Sequence, residues 1–562
     1  MAPAALPETP LPVLIFDHAV SHGDEVAIRH KHDGAWQELT WANYAARVRS
    51  CAAGLQGLGL NAPVHAAVLA DNSVDWLVAQ MATGIIGGVP LGCYPTSSTP
   101  DLLHALGHAD VQVLFCQDDA FLAKVLPIRD QLPLLKWIVM LDGAAAALGG
   151  NGMISLAQLE LDGASALADD PALLDASIAA LSLDDVGLIV YTSGSTGAPK
   201  AAMLTYGNMR ATVSGFGEML GYRPGAQVLS YLPLCHIAEQ AMTNFAPLYT
   251  RSTIAIGGGL PSLIEDMREV HPTYFSGVPR VWLRFEEAIR SAGGLAPHDA
   301  LALVGLDRAA VATSGAASLP VETLTFFRAL GLELRELYGM TENCSIMTIH
   351  RPGRIVPGTV GEPLDTVELR IAEDGEILVR GPSVFAGYYK NPEASAQAVV
   401  DGWLHTGDVG VIESGHLRIV DRKKDIMITD GGKNIAPAEI EALMRTSPLI
   451  AEFVLVAEGR KYVSALVQPD PTGFGGGDYA ALVAAPDTAS RLAGEVRRLN
   501  DDLPRVAQVK RLFVLPQPLA QNDGDLTPTL KLRRFKVHQR YAAEIEAIYA
   551  GNVGFDVTAP RA

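Results

Sequence analysis

Short apolar runs alternate with helical patterns over about the first 350 residues of this 562-residue chain. Apolar strands separated by helices indicate parallel sheets whose faces are covered by helices. A chain of this length also exceeds what one hydrophobic core supports, so it predicts two or more domains. The apolar runs are Val64–Leu69, Val111–Cys116, Trp137–Leu141, Val186–Tyr191, Val228–Leu232 and Ala309–Thr313.

A different pattern extends from Val367 to Val420. Short runs with turn signals at Asp374-Gly375 and Ser414-Gly415 predict antiparallel hairpins and a small β-barrel-like subdomain. The residues after Asp421 predict a smaller α+β domain, so the expected fold class is α/β with a small second domain. Its predicted elements are a helix at Ala438–Arg445, strands at Glu452–Ala457 and Tyr462–Val467, and a Pro- and Gly-rich loop at Pro469–Gly477.

The composition is that of a well-packed protein, since 49% of the residues are hydrophobic and 19% are charged. A net charge of −19 argues against nucleic acid or an anionic lipid surface as the main partner. The five cysteines are scattered, odd in number and without a CxxC pair. This cysteine usage predicts reduced thiols and a cytoplasmic protein.

Two segments bear on targeting and on membrane insertion. The N-terminal MAPAALPETPLPV lacks a basic region followed by an apolar core, so it does not read as a signal peptide. Trp76–Tyr94 approaches the length of a membrane span without a charge, but its Gly87–Pro90 stretch would break a helix. We therefore predict a helix that leads into a buried strand, and no integral membrane segment.

A polar loop with two glycines, YTSGSTGAPK at Tyr191–Lys200, follows the apolar run Val186–Val190. Glycines permit close backbone approach, and successive amides with hydroxyls and a lysine can surround a polyanion such as nucleotide phosphates. A flexible Ser/Gly turn is the alternative. A P-loop is disfavoured, because two residues separate the second glycine from the lysine and no Ser or Thr follows it.

This loop resembles, almost position for position, the phosphate-binding signature of the adenylate-forming superfamily. That superfamily includes acyl-CoA synthetases, the adenylation domains of peptide synthetases and firefly luciferase. Ala201 departs from the pattern, because a glycine usually follows the lysine. The resemblance implies that the loop clamps the β- and γ-phosphates of ATP. The residues so implied are Thr192, Ser193, Gly194, Ser195, Thr196, Gly197 and Lys200.

A second segment, YGMTE at Tyr338–Glu342, resembles the YGxTE motif of the same superfamily. The aromatic ring can stack on a purine, the Thr341 hydroxyl can bond to an α-phosphate, and the Glu342 carboxylate can bring in Mg²⁺. The resemblance implies nucleotide contacts for Tyr338 and Gly339, and it assigns Thr196 to the metal together with Glu342. Without the upstream loop, Glu342 would be interpreted as a surface carboxylate or as a carboxylate at the start of a helix.

Two further segments resemble nucleotide-binding parts of the superfamily. Gly315, Ala316 and Ala317 follow a predicted strand and resemble the segment lining the adenine and substrate pocket, with a tight turn as the alternative. GWLHTGD at Gly402–Asp408 resembles the GWxxTGD motif, in which the aspartate accepts hydrogen bonds from both ribose hydroxyls. The resemblance implies that role for Asp408, and Arg422 matches a ribose contact at the domain junction.

The charged cluster Asp421–Asp425 lies where the composition changes, and by itself it would be a solvated turn. The resemblance makes Lys424 the hinge. It implies an N-terminal adenylation domain at residues 1–423 and a small mobile lid domain at 424–562. Lys531 lies in a basic stretch that, considered alone, would be a solvated surface patch. It resembles the catalytic lysine of the superfamily, whose charge would stabilise the attack of a carboxylate on the α-phosphorus.

Gly431, Gly432 and Lys433 resemble the segment that lines the pantetheine tunnel of coenzyme A in the second half-reaction, after rotation of the lid. An ordinary hairpin turn remains the alternative. Ser230–Gln240 resembles the corresponding stretch of long-chain and bubblegum-type fatty acyl-CoA synthetases, as does Phe275–Trp282. The resemblance puts His236 near the acid carboxylate, although a lone histidine is often structural.

The predicted activity is therefore ATP- and Mg²⁺-dependent activation of a medium- to long-chain fatty acid to acyl-AMP, followed by transfer to coenzyme A. Activation of an aryl or branched acid, and transfer to a carrier-protein thiol or an amine, are alternatives. A catalytically silent acyl or nucleotide sensor is a third hypothesis. The sequence leaves open a monomer or a homodimer, and it leaves open peripheral contact with lipid.

Overall fold

The computed structural model describes residues 6–142, 152–192, 199–520, 523–526 and 532–558. The larger part of the chain contains a mixed sheet in which, in spatial order, the strand pairs from Val186–Thr192 through Met153–Ser155 are parallel. Helices connect several of these strands, as parallel pairing requires. This arrangement confirms the predicted parallel sheet. The strands run, in spatial order, Gly387–Tyr388, Lys200–Thr205, Val186–Thr192, Val89–Cys93, His65–Leu69, Val113–Cys116, Trp137–Met140 and Met153–Ser155.

The uncharged stretch Trp76–Tyr94 forms a helix and a strand, as predicted. The helix Val74–Ile85 begins at Ser73, whose side chain accepts a hydrogen bond from the Trp76 amide, and every residue of the helix except Asp75 is buried. The chain then turns through Gly87 into the strand Val89–Cys93. No helix in the described ranges is long and apolar enough to cross a membrane.

Two further sheets complete the parallel layers. Each combines parallel pairs with an antiparallel edge. The strands of one are Gln227–Ser230, Thr253–Ile256, Val26–His32 and Ala35–Thr40, and those of the other are Tyr274–Gly277, Val311–Ser314, Glu333–Met340, Ser345–Ile349 and Glu362–Pro363.

The predicted hairpin region forms an antiparallel sheet. Leu417 exchanges backbone hydrogen bonds with Val360 and Gly361 at 2.8 and 2.7 Å, so this sheet curls onto the preceding one. Its strands are Glu368–Ile371, Glu376–Arg380, Trp403–Glu413 and Val399–Val400, with His416–Arg422 beside Trp403–Glu413.

Helices cover the sheets of the larger part, and many begin at a Ser, Thr or Asp whose side chain accepts a backbone hydrogen bond. The described α-helices before residue 424 are Leu11–His22, Trp41–Gly57, Val74–Ile85, Thr99–His108, Asp119–Val125, Leu156–Asp169, Asp175–Ala180, Tyr206–Phe216, Ile237–Glu239, Ala246–Thr250, Leu263–Val270, Pro279–Ala292, Pro297–Ala302, Val321–Ala329 and Pro392–Ala398, with a π-helix at Gln240–Phe245.

The residues after 424 form a smaller α+β unit with its own hydrophobic clusters, whose buried members lie between Met427 and Val557. This arrangement confirms the predicted class of the second unit. Its strands are Met427–Ile428, Asn434–Ile435, Ile450–Val456, Val463–Pro469, Val509–Val514 and Phe555–Asp556, and its helices are Pro437–Met444, Tyr479–Ala484, Thr488–Asn500, Arg534–Arg540 and Ala542–Tyr549.

Candidate functional site

Two antiparallel strands form the stems of the predicted phosphate loop. Val186–Thr192 leads into the loop and Lys200–Thr205 leads out, with Thr192 paired to Lys200. Ala201 lies opposite Tyr191 in ordinary strand backbone and is buried, so the missing glycine causes no strain. The predicted loop residues Ser193, Gly194, Ser195, Thr196 and Gly197 lie outside the described residues, as does Lys531.

The helix Thr99–His108 supports both stems of the loop. His108 Nδ1 lies 2.9 Å from the Tyr191 hydroxyl, which donates to the carbonyl of Ala105 at 3.1 Å. On the other stem, His104 Nε2 lies 3.5 Å from the carbonyl of Pro199. These two histidines could not be predicted from the sequence, because nothing in the chain order links that helix to the loop.

The metal candidate Glu342 is linked to the loop through a tyrosine. Glu342 is 7% exposed and accepts a 2.7 Å hydrogen bond at Oε1 from the Tyr388 hydroxyl. The Lys200 ammonium lies 4.8 Å from the centre of the Tyr388 ring. The structure therefore brings the loop cation and the carboxylate of the YGMTE motif to opposite parts of one side chain.

A second group of predicted residues meets at the ribose candidate. The Tyr338 hydroxyl donates to Asp408 Oδ2 at 2.5 Å, and Arg422 Nε lies 3.6 Å from Asp408 Oδ1. Asp408 and Arg422 are cross-strand partners in the antiparallel sheet. Burial, and next the Asp408 carboxylate, raise the pKa of Tyr338 well above its usual value, so its hydroxyl remains a hydrogen-bond donor.

Two glycines allow the backbone between these groups to pack against neighbouring atoms at distances that a side chain would prevent. A Cβ on Gly339 would lie 1.5 Å from the carbonyl oxygen of Ser345, and one on Gly315 would lie 2.6 Å from Leu337 Cδ1. Ala316 adopts the left-handed region with φ of 69°. The Gly315–Ala317 segment therefore bends directly after the strand Val311–Ser314.

The predicted acid-binding stretch surrounds a buried carboxyl group. His236 begins the short helix Ile237–Glu239, and its Nδ1 accepts a 3.2 Å hydrogen bond from the Ala238 amide. Glu239 accepts hydrogen bonds from Ser230 Oγ at 2.6 Å and Thr243 Oγ1 at 2.8 Å. Burial raises the pKa of Glu239 to about 7.

A small cavity adjoins Glu239. Its volume is about 20 Å³, which is about the space that one water molecule needs and far less than a ligand pocket. Tyrosine, methionine and leucine side chains form most of its wall. The lining residues are Tyr222, Val228, Leu229, Tyr231, Leu232, Ala238, Glu239, Met242, Thr243, Tyr274 and Ser276.

The predicted tunnel segment lies apart from these groups, in the smaller unit. Gly431, Gly432 and Lys433 form the turn of an exposed hairpin, in which the Gly432 amide donates to the carbonyl of Thr429 at 2.9 Å. The Asp430 amide donates to the carbonyl of Arg460 at 3.1 Å. The hairpin-turn interpretation therefore holds, and it is compatible with the predicted contact to coenzyme A.

The donor set around Glu342 suits Mg²⁺ that arrives with a nucleotide. In the described part of the chain, no group of three or more His, Cys, Asp or Glu side chains could hold a metal by itself. Mg²⁺ usually takes one or two carboxylates together with substrate phosphates rather than a cage of protein ligands. A single buried carboxylate beside a phosphate-loop lysine fits that preference.

Comparison with known proteins gives matches along the whole chain. The profile described as AMP-binding enzyme matches residues 15–389, and that of the AMP-binding enzyme C-terminal domain matches residues 424–553. The long-chain-fatty-acid–CoA ligase FadD15 of Mycobacterium tuberculosis is 31% identical, covering 95% of this chain and 96% of its own. The long-chain-fatty-acid–CoA ligase ACSBG2 of Xenopus laevis is 29% identical, covering 99% and 86%.

Solved structures share the fold at lower sequence identity. The anthranilate CoA ligase AuaEII in complex with anthranoyl-AMP has a TM-score of 0.77 at 18% identity, covering 97% of this chain and 99% of its own. The o-succinylbenzoate coenzyme A synthetase MenE of Bacillus subtilis, in complex with AMP, has a TM-score of 0.72 at 21% identity, covering 94% and 98%. Both matches span both units of this chain.

Proposed function

Because the chain belongs to the AMP-binding enzyme family, we propose that it is an AMP-forming acid–thiol ligase. It activates a medium- to long-chain fatty acid with ATP and Mg²⁺, giving acyl-AMP and pyrophosphate, and then transfers the acyl group to coenzyme A. The fatty-acid substrate is supported by relatives named as long-chain-fatty-acid–CoA ligases that align over nearly the whole chain.

One observation carries the proposal. Lys200 and Glu342 both contact Tyr388, and Asp408 accepts a hydrogen bond from Tyr338, which precedes Glu342 by four residues in the same strand and turn. These are the groups that a nucleotide triphosphate with its metal requires: a cation for phosphate, a carboxylate for Mg²⁺ and a carboxylate for a ribose diol. A silent sensor would not need the complete set.

The proposed roles follow from the chemistry of the side chains. Asp408 would accept hydrogen bonds from the ribose hydroxyls, with Arg422 beside it, and Tyr338 would face the adenine. Thr341 would donate to the α-phosphate, and Glu342 would ligate Mg²⁺ together with Thr196. Mg²⁺ supplies screening of phosphate charge when bound. Gly315, Ala316, Ala317 and Gly339 would let the base approach the backbone.

The remaining residues are proposed to bind phosphate, to stabilise charge in the transition state or to line the path of the thiol. Thr192 and Lys200 belong to the stems of the phosphate clamp, and Lys531 would stabilise charge as a carboxylate attacks the α-phosphorus. His236 would stand near the acid, and Gly431, Gly432 and Lys433 would line the thiol path. We keep the domain division at 423/424, which is supported by the separate hydrophobic clusters after Met427 and by the second family profile starting at residue 424.

The activity is tested by acid-dependent exchange of labelled pyrophosphate into ATP and by thioester formation with coenzyme A. A panel of fatty acids of graded length plus aryl acids identifies the substrate. We expect exchange and thioester formation to be greatest with fatty acids. Absence of exchange with every acid would contradict the proposal. Exchange without use of coenzyme A would indicate that the acyl group is transferred to another acceptor.

Lys531→Ala separates the two half-reactions. We expect exchange to fall by at least about a hundredfold, because the substitution removes a charge that stabilises the transition state. Thioester formation from supplied acyl-AMP should remain largely intact. Lys536→Ala, at an exposed position of the helix Arg534–Arg540, is the matched control and should leave both steps unchanged. Equal loss of both steps in Lys531→Ala would contradict this assignment.

We further propose a cytoplasmic location. All five cysteines are buried free thiols, which supports a reducing compartment. The oligomeric state, monomer or homodimer, follows from light scattering of the purified protein.

A further inference from the structure

The segment 385–389 lies across the exit stem of the phosphate loop, and we call it the strap. The Ala386 amide donates to the carbonyl of Met203 at 3.0 Å, and the Tyr389 amide donates to the carbonyl of Ala201 at 2.8 Å. At its start, the Phe385 amide donates to the carbonyl of Glu342 at 2.9 Å. The strap therefore bonds to both the loop stem and the turn that carries Glu342.

Successive strap residues point in opposite directions, as in any strand. Tyr388 points toward Glu342, to which its hydroxyl donates. Tyr389 points the other way, and its hydroxyl donates to Asp110 Oδ2 at 2.9 Å, where Lys390 also pairs with Asp110. The two adjacent tyrosines thus make equivalent bonds to carboxylates, but only Tyr388 contacts a predicted site residue.

The Tyr388 hydroxyl fixes one oxygen of Glu342 and leaves the other for a ligand. It donates to Oε1, and the described residues provide no hydrogen-bond partner for Oε2. A phenol is protonated at neutral pH, so the Tyr388 hydroxyl donates to the carboxylate. A carboxylate held in this way presents Oε2 in a set direction.

The ring of the same tyrosine positions the loop cation. Lys200 Nζ lies 4.8 Å from the ring centre, within the range of a cation–π contact. Lys200 is exposed, so its ammonium can leave the ring for a phosphate at small cost. Lys200 and Glu342 are both among the described residues and form no direct ion pair, and each contacts a different part of this tyrosine.

We propose that Tyr388 is a positioning residue of the ATP and Mg²⁺ site, whose hydroxyl orients Glu342 toward the metal and whose ring holds Lys200 beside the phosphates. This inference rests on the proposed function. The inference assigns a separate role to each part of the side chain. The hydroxyl affects binding of the metal through Glu342, and the ring affects binding of the nucleotide through Lys200.

Tyr388→Phe tests the hydroxyl while keeping the ring. We expect the Mg²⁺ concentration for half-maximal pyrophosphate exchange to rise about tenfold, the size typical of losing a hydrogen bond to a metal-ligating group. The rate at saturating Mg²⁺ should stay within about twofold of the wild type, because no reacting group is removed. Tyr389→Phe removes the neighbouring hydroxyl and is the matched control, with unchanged Mg²⁺ dependence.

Tyr388→Leu tests the ring. Relative to Tyr388→Phe, we expect KM for ATP to rise a further ~3-fold, since an exposed cation–π contact is worth about 0.5–1 kcal/mol. Tyr388→Phe in a Glu342→Gln background should have no further effect on Mg²⁺ dependence, because the hydroxyl acts through that carboxylate. Thermal melting of each variant establishes that it is folded.

Calorimetric titration of Mn²⁺ with a non-hydrolysable ATP analogue gives a readout independent of turnover. Weaker Mn²⁺ binding in Tyr388→Phe, and not in Tyr389→Phe, supports the inference. Unchanged Mn²⁺ binding and Mg²⁺ dependence in a folded Tyr388→Phe variant would overturn it. If wild-type enzyme shows no exchange with any acid, the proposed function fails, while the titration still decides the role of Tyr388.

Discussion

Several buried carboxyl groups have pKa values raised toward neutrality, in each case mainly by burial. The pKa is about 7 for Glu239 and Glu336 and about 6 for Asp421. Each group accepts hydrogen bonds from backbone amides or hydroxyls, which offset part of the cost of burying charge. These residues make the stability of the fold depend on pH in the neutral range.

Glu239→Gln should make this dependence visible. The ordinary pKa of a glutamate is 4.5, so a folded value of about 7 stabilises the fold fully below about 4.5 and the contribution is lost as pH rises through about 7. An amide does not titrate. Between pH 6 and pH 8 the stability of the variant relative to the wild type should therefore rise by roughly 1 kcal/mol.

Denaturant unfolding at pH 6, 7 and 8 measures the difference in stability between the variant and the wild type. Titration of histidines affects both proteins equally, so it cancels in this difference. Glu373→Gln, at an exposed residue, is the control and should show a difference that is constant with pH. A constant difference for Glu239→Gln as well would contradict the raised pKa.

Single residues show where prediction from sequence ends. Tyr338 and Asp408 stand in recognisable motifs, and the structure joins them by a hydrogen bond. Tyr388 was not predicted, because adjacent tyrosines in a short strand look alike until the sheet pairing sets which one points inward. His108 was missed for a different reason, because its contact with Tyr191 spans 83 residues.

At the scale of elements, the strand Glu333–Met340 and the strand Ser345–Ile349 form a tight antiparallel pair around the turn Thr341–Asn343. This pair holds both Tyr338 and Glu342, so its geometry sets the distance between the ribose and metal candidates. Gly339 allows the approach, because any side chain there would collide with the Ser345 carbonyl.

Gly339→Ala should lower the free energy of unfolding by about 3 kcal/mol, the upper range for forcing a methyl group into a packed site. Exchange activity should fall in parallel, because the strand pair must separate to admit the methyl group. Gly57→Ala, at the end of the helix Trp41–Gly57 with no atom near the new Cβ, is the control. Thermal melting compares the two, and equal midpoints would contradict the packing argument.

Elements were predictable where periodicity is strong. The predicted run Val64–Leu69 became the strand His65–Leu69, and the predicted helix Ala438–Arg445 became Pro437–Met444. The pairing of the strap with the loop stem was not predictable, since a strand of only Gly387–Tyr388 has too few residues to show an alternating pattern.

At the scale of the whole molecule, polar contacts join the larger part of the chain to the smaller α+β unit. Arg418 pairs with Glu439 at 3.2 Å, Asp421 accepts a 2.7 Å hydrogen bond from the Ala438 amide, and Arg280 pairs with Glu452. The sequence predicted the two units, but it could not predict their relative placement, which depends on such long-range polar pairs rather than on local pattern.

Lys424→Pro tests the hinge prediction. Among the described residues the Lys424 amide donates no hydrogen bond, so proline removes none, but it fixes φ near −65°. We expect one half-reaction to be retained and the other to fall by about tenfold or more, because a single fixed φ favours one arrangement of the units. Assays of pyrophosphate exchange and of thioester formation from acyl-AMP measure the two steps.

Lys424→Ala keeps the backbone free and serves as the control, with both steps retained. If Lys424→Pro also retained both steps, rotation about residue 424 would not be needed for catalysis.

The strap has a consequence for how this protein can be re-engineered. Its hydrogen bonds tie residues 385–389 to Ala201 and Met203 on one side and to Glu342 on the other, although these positions are far apart in the chain. Exchanging residues 186–205 alone between relatives would transfer the phosphate loop without Tyr388, which contacts its lysine. The smallest interchangeable module for ATP use is therefore discontinuous in sequence, and it must include the loop, the YGMTE turn and the strap together.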